Sequence, residues 1–310
     1  MACVLETRAY LLAAALAVAV PSATTAQTCQ WLMSSGGTAN FTKLAVGPPL
    51  ASLRFGDFNG DGKTDVFSTV PRPDGSAQWV VSDSGTSNFR NLAVGPPLFA
   101  LRFGDFDGDG TTDVFATAPR PDGSAQWLMS SGGAANFVNL AVGPALVNLA
   151  FGDFDGDGRT DVFSTAPGRG GAQWLMSRSG TANFVNLAFG PPMRALRFGD
   201  FDGDGKTDVF STAAGNGGEQ WLMSRSGTAN FTKLAFGPPL QGLRFGDFDG
   251  DKKTDVFTTT PKGASAHQWL MSSGGTANFV NLAEGPPLSA IEFGDFDGDG
   301  KTDVFSTDCR

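Results

Sequence analysis

Histidine and cysteine are scarce in this sequence of 310 residues, which has one histidine and three cysteines. The single histidine, His267, lies in a stretch that differs between internal repeats, and most of the carboxylates belong to a repeated motif with another use. Few side chains are therefore left for proton transfer or nucleophilic attack. We predict that the protein is not an enzyme and has no catalytic residues.

The sequence also lacks an apolar run long enough for a membrane-spanning helix, which takes about 20 residues. The apolar run at residues 10–20 is shorter, follows Arg8 and precedes the small residues 24–26, as is typical of a secretory signal. We predict that residues 1–26 are a signal peptide, that no segment spans a membrane, and that residues 27–310 are secreted or held at the cell surface. Lysine and arginine form no stripe or motif that would indicate nucleic-acid binding.

Residues 27–310 lack the 3.6-residue apolar period of helices, while glycine (42) and proline (18) are abundant. In the second repeat, four segments of strand length stand between turn signals. Apolar side chains fall at both parities in the third and fourth segments, so both faces of the sheet would contact protein. The sequence predicts an all-β fold, with strands in that repeat at residues 101–106, 113–117, 126–130 and 136–142.

One motif, Phe-Gly-Asp-Phe-Asp-Gly-Asp-Gly-x-Thr-Asp-Val-Phe in its commonest form, occurs six times at intervals of 47 or 48 residues. So regular a repeat predicts stacked supersecondary units. A closed ring of four-stranded antiparallel blades leaves no apolar end exposed, whereas an open solenoid would. The chain begins midway through a repeat and ends with the other half. We therefore predict a six-bladed β-propeller with one blade shared between the N- and C-termini.

Two cysteines, Cys29 and Cys309, lie near the two ends of the predicted mature chain. Alignment of the repeats places them on either side of the turn that residues 71–77 form in the first complete copy. Cysteines of exported proteins usually form disulfides. We predict a Cys29–Cys309 bridge that ties the termini together, with free thiols as the alternative.

Each motif carries carboxylates at positions 1, 5 and 9 of a short loop, and five of the six copies carry another at position 3, where the first copy has Asn59. Position 6 is glycine in five of the six copies. Hard oxygen donors at this spacing suit Ca²⁺, which three alternating side chains, the position-7 carbonyl and the closing carboxylate would surround. The loop is no EF-hand, because position 12 holds Ser, Thr or Ala instead of Glu. Turn formation alone is the alternative explanation, but it accounts poorly for six copies.

We therefore predict up to six bound Ca²⁺ ions. The predicted ligand residues, of which position 7 acts through its carbonyl, are Asp57, Asn59, Asp61, Lys63 and Asp65 in the first loop, Asp105, Asp107, Asp109, Thr111 and Asp113 in the second, Asp153, Asp155, Asp157, Arg159 and Asp161 in the third, Asp200, Asp202, Asp204, Lys206 and Asp208 in the fourth, Asp247, Asp249, Asp251, Lys253 and Asp255 in the fifth, and Asp295, Asp297, Asp299, Lys301 and Asp303 in the sixth.

The fifth loop departs from this pattern, with Lys252 at position 6 where the other loops have glycine. A left-handed backbone there costs about 1 kcal/mol or more without glycine. Lys252 also adds a second ammonium group beside the ion, next to that of Lys253. We predict that the fifth loop binds Ca²⁺ most weakly.

These features together resemble FG-GAP/VCBS repeat proteins, whose propellers occur in integrin α-subunit heads and in some secreted lectins. The resemblance covers residues 27–310 and rests on the aspartate loops together with six Phe-Gly pairs at Phe55-Gly56, Phe103-Gly104, Phe151-Gly152, Phe198-Gly199, Phe245-Gly246 and Phe293-Gly294. It implies calcium ligation at each loop and a role in recognition or adhesion. Integrin heads have seven blades, so their partner surface is not carried over to these six repeats.

Three repeated features bear on the ligand. One tryptophan per repeat would either pack between blades, which we favour, or stack on sugars. The segments like residues 35–41 would form either glycan pockets or tight turns, and the loops before each tryptophan vary, which indicates an exposed rim. We predict a monomeric recognition module that binds glycans at several sites; a protein ligand in adhesion, or a structural scaffold at the cell surface, is the alternative.

Overall fold

A computed structural model describes residues 27–263 and 266–309, and in that part of the chain it shows an all-β protein of 24 strands in six sheets. Each sheet has four antiparallel strands, and the sheets form a six-bladed propeller. The predicted signal peptide lies outside the described residues. No helix within them has the length and hydropathy to cross a membrane.

Each blade has four strands, which follow one another from its inner to its outer edge. The first strands are β3 (Arg54–Gly56), β7 (Arg102–Gly104), β11 (Leu149–Gly152), β15 (Arg197–Gly199), β19 (Arg244–Gly246) and β23 (Ile291–Gly294). The second strands are β4 (Asp65–Pro71), β8 (Asp113–Pro119), β12 (Asp161–Gly168), β16 (Asp208–Gly215), β20 (Asp255–Lys262) and β24 (Asp303–Cys309). The third strands are β5 (Ala77–Ser82), β9 (Ala125–Ser130), β13 (Gly171–Ser177), β17 (Gly218–Ser224), β21 (Ala266–Ser272) and β1 (Cys29–Ser34). The fourth strands are β6 (Arg90–Gly95), β10 (Val138–Gly143), β14 (Val185–Gly190), β18 (Thr232–Gly237), β22 (Val280–Gly285) and β2 (Thr42–Gly47).

Short 3₁₀ turns make two of the connections in each blade. Those between third and fourth strands are Ser35–Gly37, Asp83–Gly85, Ser131–Gly133, Arg178–Gly180, Arg225–Gly227 and Ser273–Gly275. Those that lead from a fourth strand to the next first strand are Leu50–Ser52, Leu98–Ala100, Leu146–Asn148, Met193–Ala195, Leu240–Gly242 and Leu288–Ala290. The segments like residues 35–41 are therefore tight turns, as one of the two interpretations had it.

The ring closes as predicted, because the blade with strand order β2-β1-β24-β23 combines the two ends of the chain. Strand β1 pairs with β24 over six residues, and Cys29 lies directly opposite Cys309. The two cysteines form a disulfide, which confirms the predicted bridge. The bond occupies the place where the other blades have a covalent turn between their second and third strands.

The first and second strands of neighbouring blades are linked by a circle of hydrogen bonds. The backbone N–H of Thr112 donates to the carbonyl of Asp57 in the preceding blade, and equivalent bonds of 2.5 to 2.6 Å occur at all six junctions. A Cβ atom on Gly56 would lie 2.7 Å from the Thr112 side chain, and the other Phe-Gly glycines face a threonine in the same way. The motif therefore needs glycine because the next blade approaches its backbone closely.

The space between blades is filled by aromatic rings. Trp79 packs against Phe67 of its own blade and Phe137 of the next, with ring centroids 6.1 and 5.7 Å apart. Its indole N–H donates to the carbonyl of Pro96, 2.9 Å away. All six tryptophans have no exposed surface. The packing interpretation is therefore confirmed, and these rings are not available to stack on sugars.

The propeller has two different ends. The aspartate loops and the turns between third and fourth strands share one end, which we call the acidic face; Ser131 Oγ there lies 3.3 Å from Asp109 Oδ2. The loops between second and third strands share the other end with the turns that precede the first strands. We call this end the variable face, because its loops differ most between repeats.

Candidate metal centre

Each aspartate loop folds around its first carboxylate. In the second loop, Asp105 accepts hydrogen bonds from the backbone N–H groups of Gly108 and Gly110, at 2.7 and 3.0 Å. Both glycines have positive φ angles, 77° and 83°, which point successive N–H groups inward. The position-1 carboxylate thus organises the loop backbone, and its remaining lone pairs are available to a cation.

Carboxylate oxygens converge in five of the six described loops, where three aspartates have ligand atoms within 4.8 Å of one another. The three residues are at positions 1, 3 and 9 in the second to fourth loops and at positions 1, 3 and 5 in the fifth and sixth. In the first loop, Asn59 supplies an amide oxygen instead of a carboxylate. Because like charges so close repel, and all the donors are hard oxygen atoms, the clusters fit a divalent cation such as Ca²⁺.

The position-5 aspartate and the position-7 backbone lie side by side in every loop. In the second loop, the Thr111 backbone N–H donates to Asp109 Oδ1 at 2.7 Å, and the lysines and arginine at position 7 of the other loops do the same at 2.9 Å. The position-5 carboxylate therefore fixes the backbone at position 7 through its N–H group. Ligation through its carbonyl stays a prediction.

The closing aspartate at position 9 has a second role that the sequence pattern did not indicate. Asp113 is fully buried, and its two oxygens accept backbone N–H groups from Phe106 at 2.8 Å and from Gly132 at 3.0 Å. Gly132 belongs to the turn between third and fourth strands. The carboxylate therefore joins the aspartate loop to the neighbouring turn, and the same pair of bonds recurs in all six blades.

Burial changes the protonation of these closing aspartates. It raises the pKa of Asp113 to about 6, while hydrogen bonds from Phe106 and Gly132 act in the opposite direction and the charges of Asp107 and Asp105 raise it further. The carboxyl groups of Asp65, Asp161, Asp208 and Asp303 also have pKa values of about 6, and that of Asp255 is about 7. Each would be held as a carboxylate at neutral pH more readily with a cation beside it.

Two arginines lie beside the loops of the third and fourth blades. Arg178 Nε is 2.8 Å from Asp155 Oδ2, and Arg225 Nε is 2.5 Å from Asp202 Oδ2. These aspartates occupy position 3, and the arginines replace a serine that begins the same turn in the second blade. The sequence interpretation missed both contacts, because each arginine is more than 20 residues from its aspartate.

The family model of the FG-GAP-like repeat matches this chain in five overlapping segments, at residues 57–116, 105–164, 153–211, 200–258 and 247–306. The matched segments together cover most of the chain. The chain belongs to the FG-GAP-like repeat family. Each matched segment runs from the first aspartate of one loop to the second strand after the next loop.

Two of the solved structures that are similar to this FG-GAP-like chain are TolB proteins. One is a protein assigned as TolB from Agrobacterium tumefaciens, 11% identical, with a TM-score of 0.52 over 92% of this chain and 98% of that one. The other is TolB from Acinetobacter baumannii, 12% identical, with a TM-score of 0.47 over 90% of this chain and 63% of that one. At such identities, the likeness of the first shows the fold alone. Comparison with curated proteins gives no match.

The fifth loop of the FG-GAP-like chain has the strained backbone that the sequence predicted. Lys252 has a φ of 67°, in the same left-handed region as the glycines at this position in the other five loops, whose φ angles are 80° to 83°. Its backbone N–H still donates to Asp247 Oδ2 at 2.9 Å. The loop therefore keeps its conformation and bears the backbone strain of a residue with a Cβ atom.

Replacement of this lysine by glycine is expected to stabilise the protein. Lys252→Gly should raise the free energy of unfolding by about 1 kcal/mol, because a left-handed conformation costs a residue with a Cβ atom about that much. Gly205→Lys makes the reverse change in the fourth loop, where a Cβ would have open space, and should destabilise by a similar amount. Urea unfolding in calcium measures both.

Lys252→Ala separates backbone strain from charge, since it removes the ammonium group but keeps the Cβ atom. If Lys252→Ala stabilised as much as Lys252→Gly, charge repulsion and not φ would be the cause. A calcium titration that resolves the sites should show tighter binding at the fifth loop of Lys252→Gly. Tighter binding at that loop than at all others in the unaltered protein would contradict the predicted order.

Proposed function

We propose that this FG-GAP-like propeller is an exported, calcium-binding recognition module without enzymatic activity, and that its variable face binds an extracellular protein. The observation that carries the proposal is the exposure of large apolar side chains on that face. Phe99 and Val147 are 79% and 81% exposed, in the turns that precede β7 and β11. Aromatic and aliphatic side chains grouped on a surface are typical of protein-binding sites.

The surroundings of Phe99 support this assignment. Phe99 lines a groove of about 410 Å³ with Pro71 from the loop of the preceding blade and with Pro97 and Leu98 from its own turn. The walls therefore come from two blades, and the loop that contributes Pro71 is one of those that vary between repeats. A surface with a constant frame and variable loops suits recognition of a specific partner.

Calcium in this proposal has a structural role. The clustered carboxylates lie on the acidic face, opposite the variable face, and their loops bond to the next blade around the whole ring. An ion in each loop would hold the inner connections of the blades in one conformation. We propose Ca²⁺ because the donors are oxygen atoms in a loop of flexible geometry, with up to six ions and the weakest at the fifth loop.

Glycan binding is the function that sequence reasoning ranked first, and the structure offers it less support. The six tryptophans are buried, and the repeated Ser-Gly-Gly segments are tight turns that bond to the closing aspartates. Neither feature supplies a flat aromatic surface for a sugar. Export is supported by the Cys29–Cys309 disulfide, since such bonds persist in oxidising compartments.

The test compares glycans with proteins as ligands. Calcium-loaded protein from residue 27 onward is applied to a glycan array and to separated surface and secreted proteins of the source organism. We expect saturable binding to a protein, lost in the variant Phe99→Ser/Val147→Ser. Val185→Ser/Val280→Ser, which alters half-exposed valines on the fourth strands, is the matched control and should bind normally. Saturable glycan binding without a protein ligand would overturn the proposal in favour of a lectin.

A further inference from the structure

Four arginines occupy one equivalent position at the inner end of the blades. They are the residues immediately before the Phe-Gly pairs, where each lies opposite a buried phenylalanine of the second strand, as Arg54 does opposite Phe67. We call the six residues at this position the axial ring: Arg54, Arg102, Ala150, Arg197, Arg244 and Glu292. The first strands are the innermost, since β23 and β3 approach each other across the closing junction.

The arginines of the axial ring form two pairs on neighbouring blades. Arg54 and Arg102 belong to successive blades, as do Arg197 and Arg244, and the two pairs are separated by Ala150 on one side and Glu292 on the other. In a ring of six blades this order places the pairs on opposite sides of the axis. Burial lowers the pKa of Arg102, and the charge of Arg54 lowers it further. Burial also lowers the pKa of Arg197, and the charge of Arg244 lowers it further.

Little in the protein balances these charges. Each of the four guanidinium groups donates from Nη1 to the carbonyl of the residue before it, as in the 2.6 Å bond from Arg54 to Leu53. The ion pairs found among residues 27–263 and 266–309 involve other arginines and Lys262. A guanidinium has five N–H donors, so most donors of each group remain available to a ligand.

Glu292 is the one acid in the axial ring. Partial loss of water raises the pKa of its carboxyl group, and the charges of Arg244 and Arg54, on either side of it, lower the pKa. One carboxylate against four guanidinium groups leaves the ring with a formal charge of +3 at neutral pH. Four partly buried positive charges grouped around one axis favour the entry of an anion.

The axial ring is open to the variable face. Arg54 lines the groove of about 410 Å³ in which Pro71 and Phe99 also lie. An anion can therefore reach at least this member of the ring from solution. The aspartate loops, which would repel an anion, lie at the other end of the first strands.

We propose that the axial ring binds an anion with at least two sulfate, phosphate or carboxylate groups, one at each arginine pair. The planar guanidinium fork matches such oxyanions with two parallel hydrogen bonds, and two adjacent forks would surround one group. This site borders the protein-binding surface proposed above, because Arg54 lines the same groove as Phe99, but it binds through charges at the axis and not through apolar side chains.

The proposal is tested with sucrose octasulfate, a compact polyanion, by calorimetric titration of calcium-loaded protein at two salt concentrations. We expect saturable binding with a stoichiometry of one. Arg54→Gln/Arg102→Gln and Arg197→Gln/Arg244→Gln should each weaken it by about tenfold or more, because each removes the charges that face one anionic group. Arg72→Gln/Arg120→Gln, an equal loss of charge on the variable loops, should change the affinity by less than about twofold.

Two further measurements test the role of Glu292 and the kind of anion that binds. Glu292→Gln should strengthen binding, since it removes the one negative charge of the axial ring. A competition experiment compares inorganic sulfate with chloride at equal ionic strength. If sulfate displaces sucrose octasulfate, the site takes small free oxyanions; if it does not, the site takes sulfated sugars. Absence of saturable binding, or an equal loss in the Arg72→Gln/Arg120→Gln control, would overturn the proposal. Melting temperatures of all variants in calcium show that each is folded.

Discussion

Removal of Ca²⁺ by a chelator at pH 7.5 is expected to lower the melting temperature of the protein by roughly 15 °C or more. A single site that holds its ion at 100 times the dissociation constant contributes about 2.7 kcal/mol to stability. Five loops each bring three carboxylate ligand atoms within 4.8 Å, so several such contributions are lost together and the remaining charges repel. For a protein of this size, about 1 kcal/mol corresponds to a few degrees.

The measurement is a thermal melt in calcium, after chelation, and after calcium or magnesium is restored. Calcium should return the original melting temperature, and magnesium should do so only in part, because it demands stricter octahedral geometry. Elemental analysis of the purified protein should find calcium at up to six ions per chain. A melt that chelation leaves unchanged, with no metal found, would show that these loops are ordinary turns.

The effect of chelation should depend on pH in a definite direction. The closing aspartates have pKa values of about 6 in the folded protein, and about 7 for Asp255, above that of an unfolded aspartate. The metal-free folded state therefore binds more protons than the unfolded state between pH 4 and 6, and it loses this stability as the pH rises through 6. Chelated protein should be more stable at pH 5 than at pH 7.5.

Calcium reverses that order, since it favours the charged carboxylates and competes with protons. The difference in melting temperature between calcium-loaded and chelated protein should thus be large at pH 7.5 and small at pH 5. An equal difference at both pH values would mean that the closing aspartates, with their raised pKa, do not contact the ion. The position-1 and position-3 aspartates would then hold it without them.

Sequence reasoning reached the architecture because the repeat is local and regular. The blade number follows from six copies of one motif, and the shared blade from where in the repeat the chain begins and ends. Strand bounds in the second blade differ by up to two residues at an end, as β7 covers Arg102–Gly104 and not residues 101–106. The shortening reflects Asp105, which leaves the strand to cap its own loop through Gly108 and Gly110.

The contacts that sequence reasoning missed join residues of different repeats or distant parts of one repeat. Thr112 bonds to Asp57, 55 residues earlier, and Ser35 approaches Asp299 across the closure. Nothing in local spacing indicates such pairs. The axial ring was missed for a related reason: a residue before Phe-Gly has no special neighbours in sequence, and only closure of the ring brings six of them around one axis.

Loss of the disulfide is the second change with a large expected effect. Cys29→Ser/Cys309→Ser should lower the free energy of unfolding by about 5 kcal/mol, because the bond closes a loop of 280 residues in the unfolded chain. The covalent link has no substitute in the shared blade. Without it, β1 is joined to β24 only by non-covalent contacts, namely strand pairing and side-chain packing such as that of Trp31 on Phe305, whereas every other blade joins the equivalent strands by a turn.

The loss should begin at the closing blade. Hydrogen exchange in residues 29–47, which form β1 and β2, should speed up in Cys29→Ser/Cys309→Ser at denaturant concentrations that leave β9 and β10 protected, because the free end can detach before the ring opens elsewhere. A reductant should produce the same change in the unaltered protein and none in the double variant. Uniform exchange in all blades would mean instead that the propeller unfolds as one cooperative unit, and that the bridge acts only through the unfolded chain.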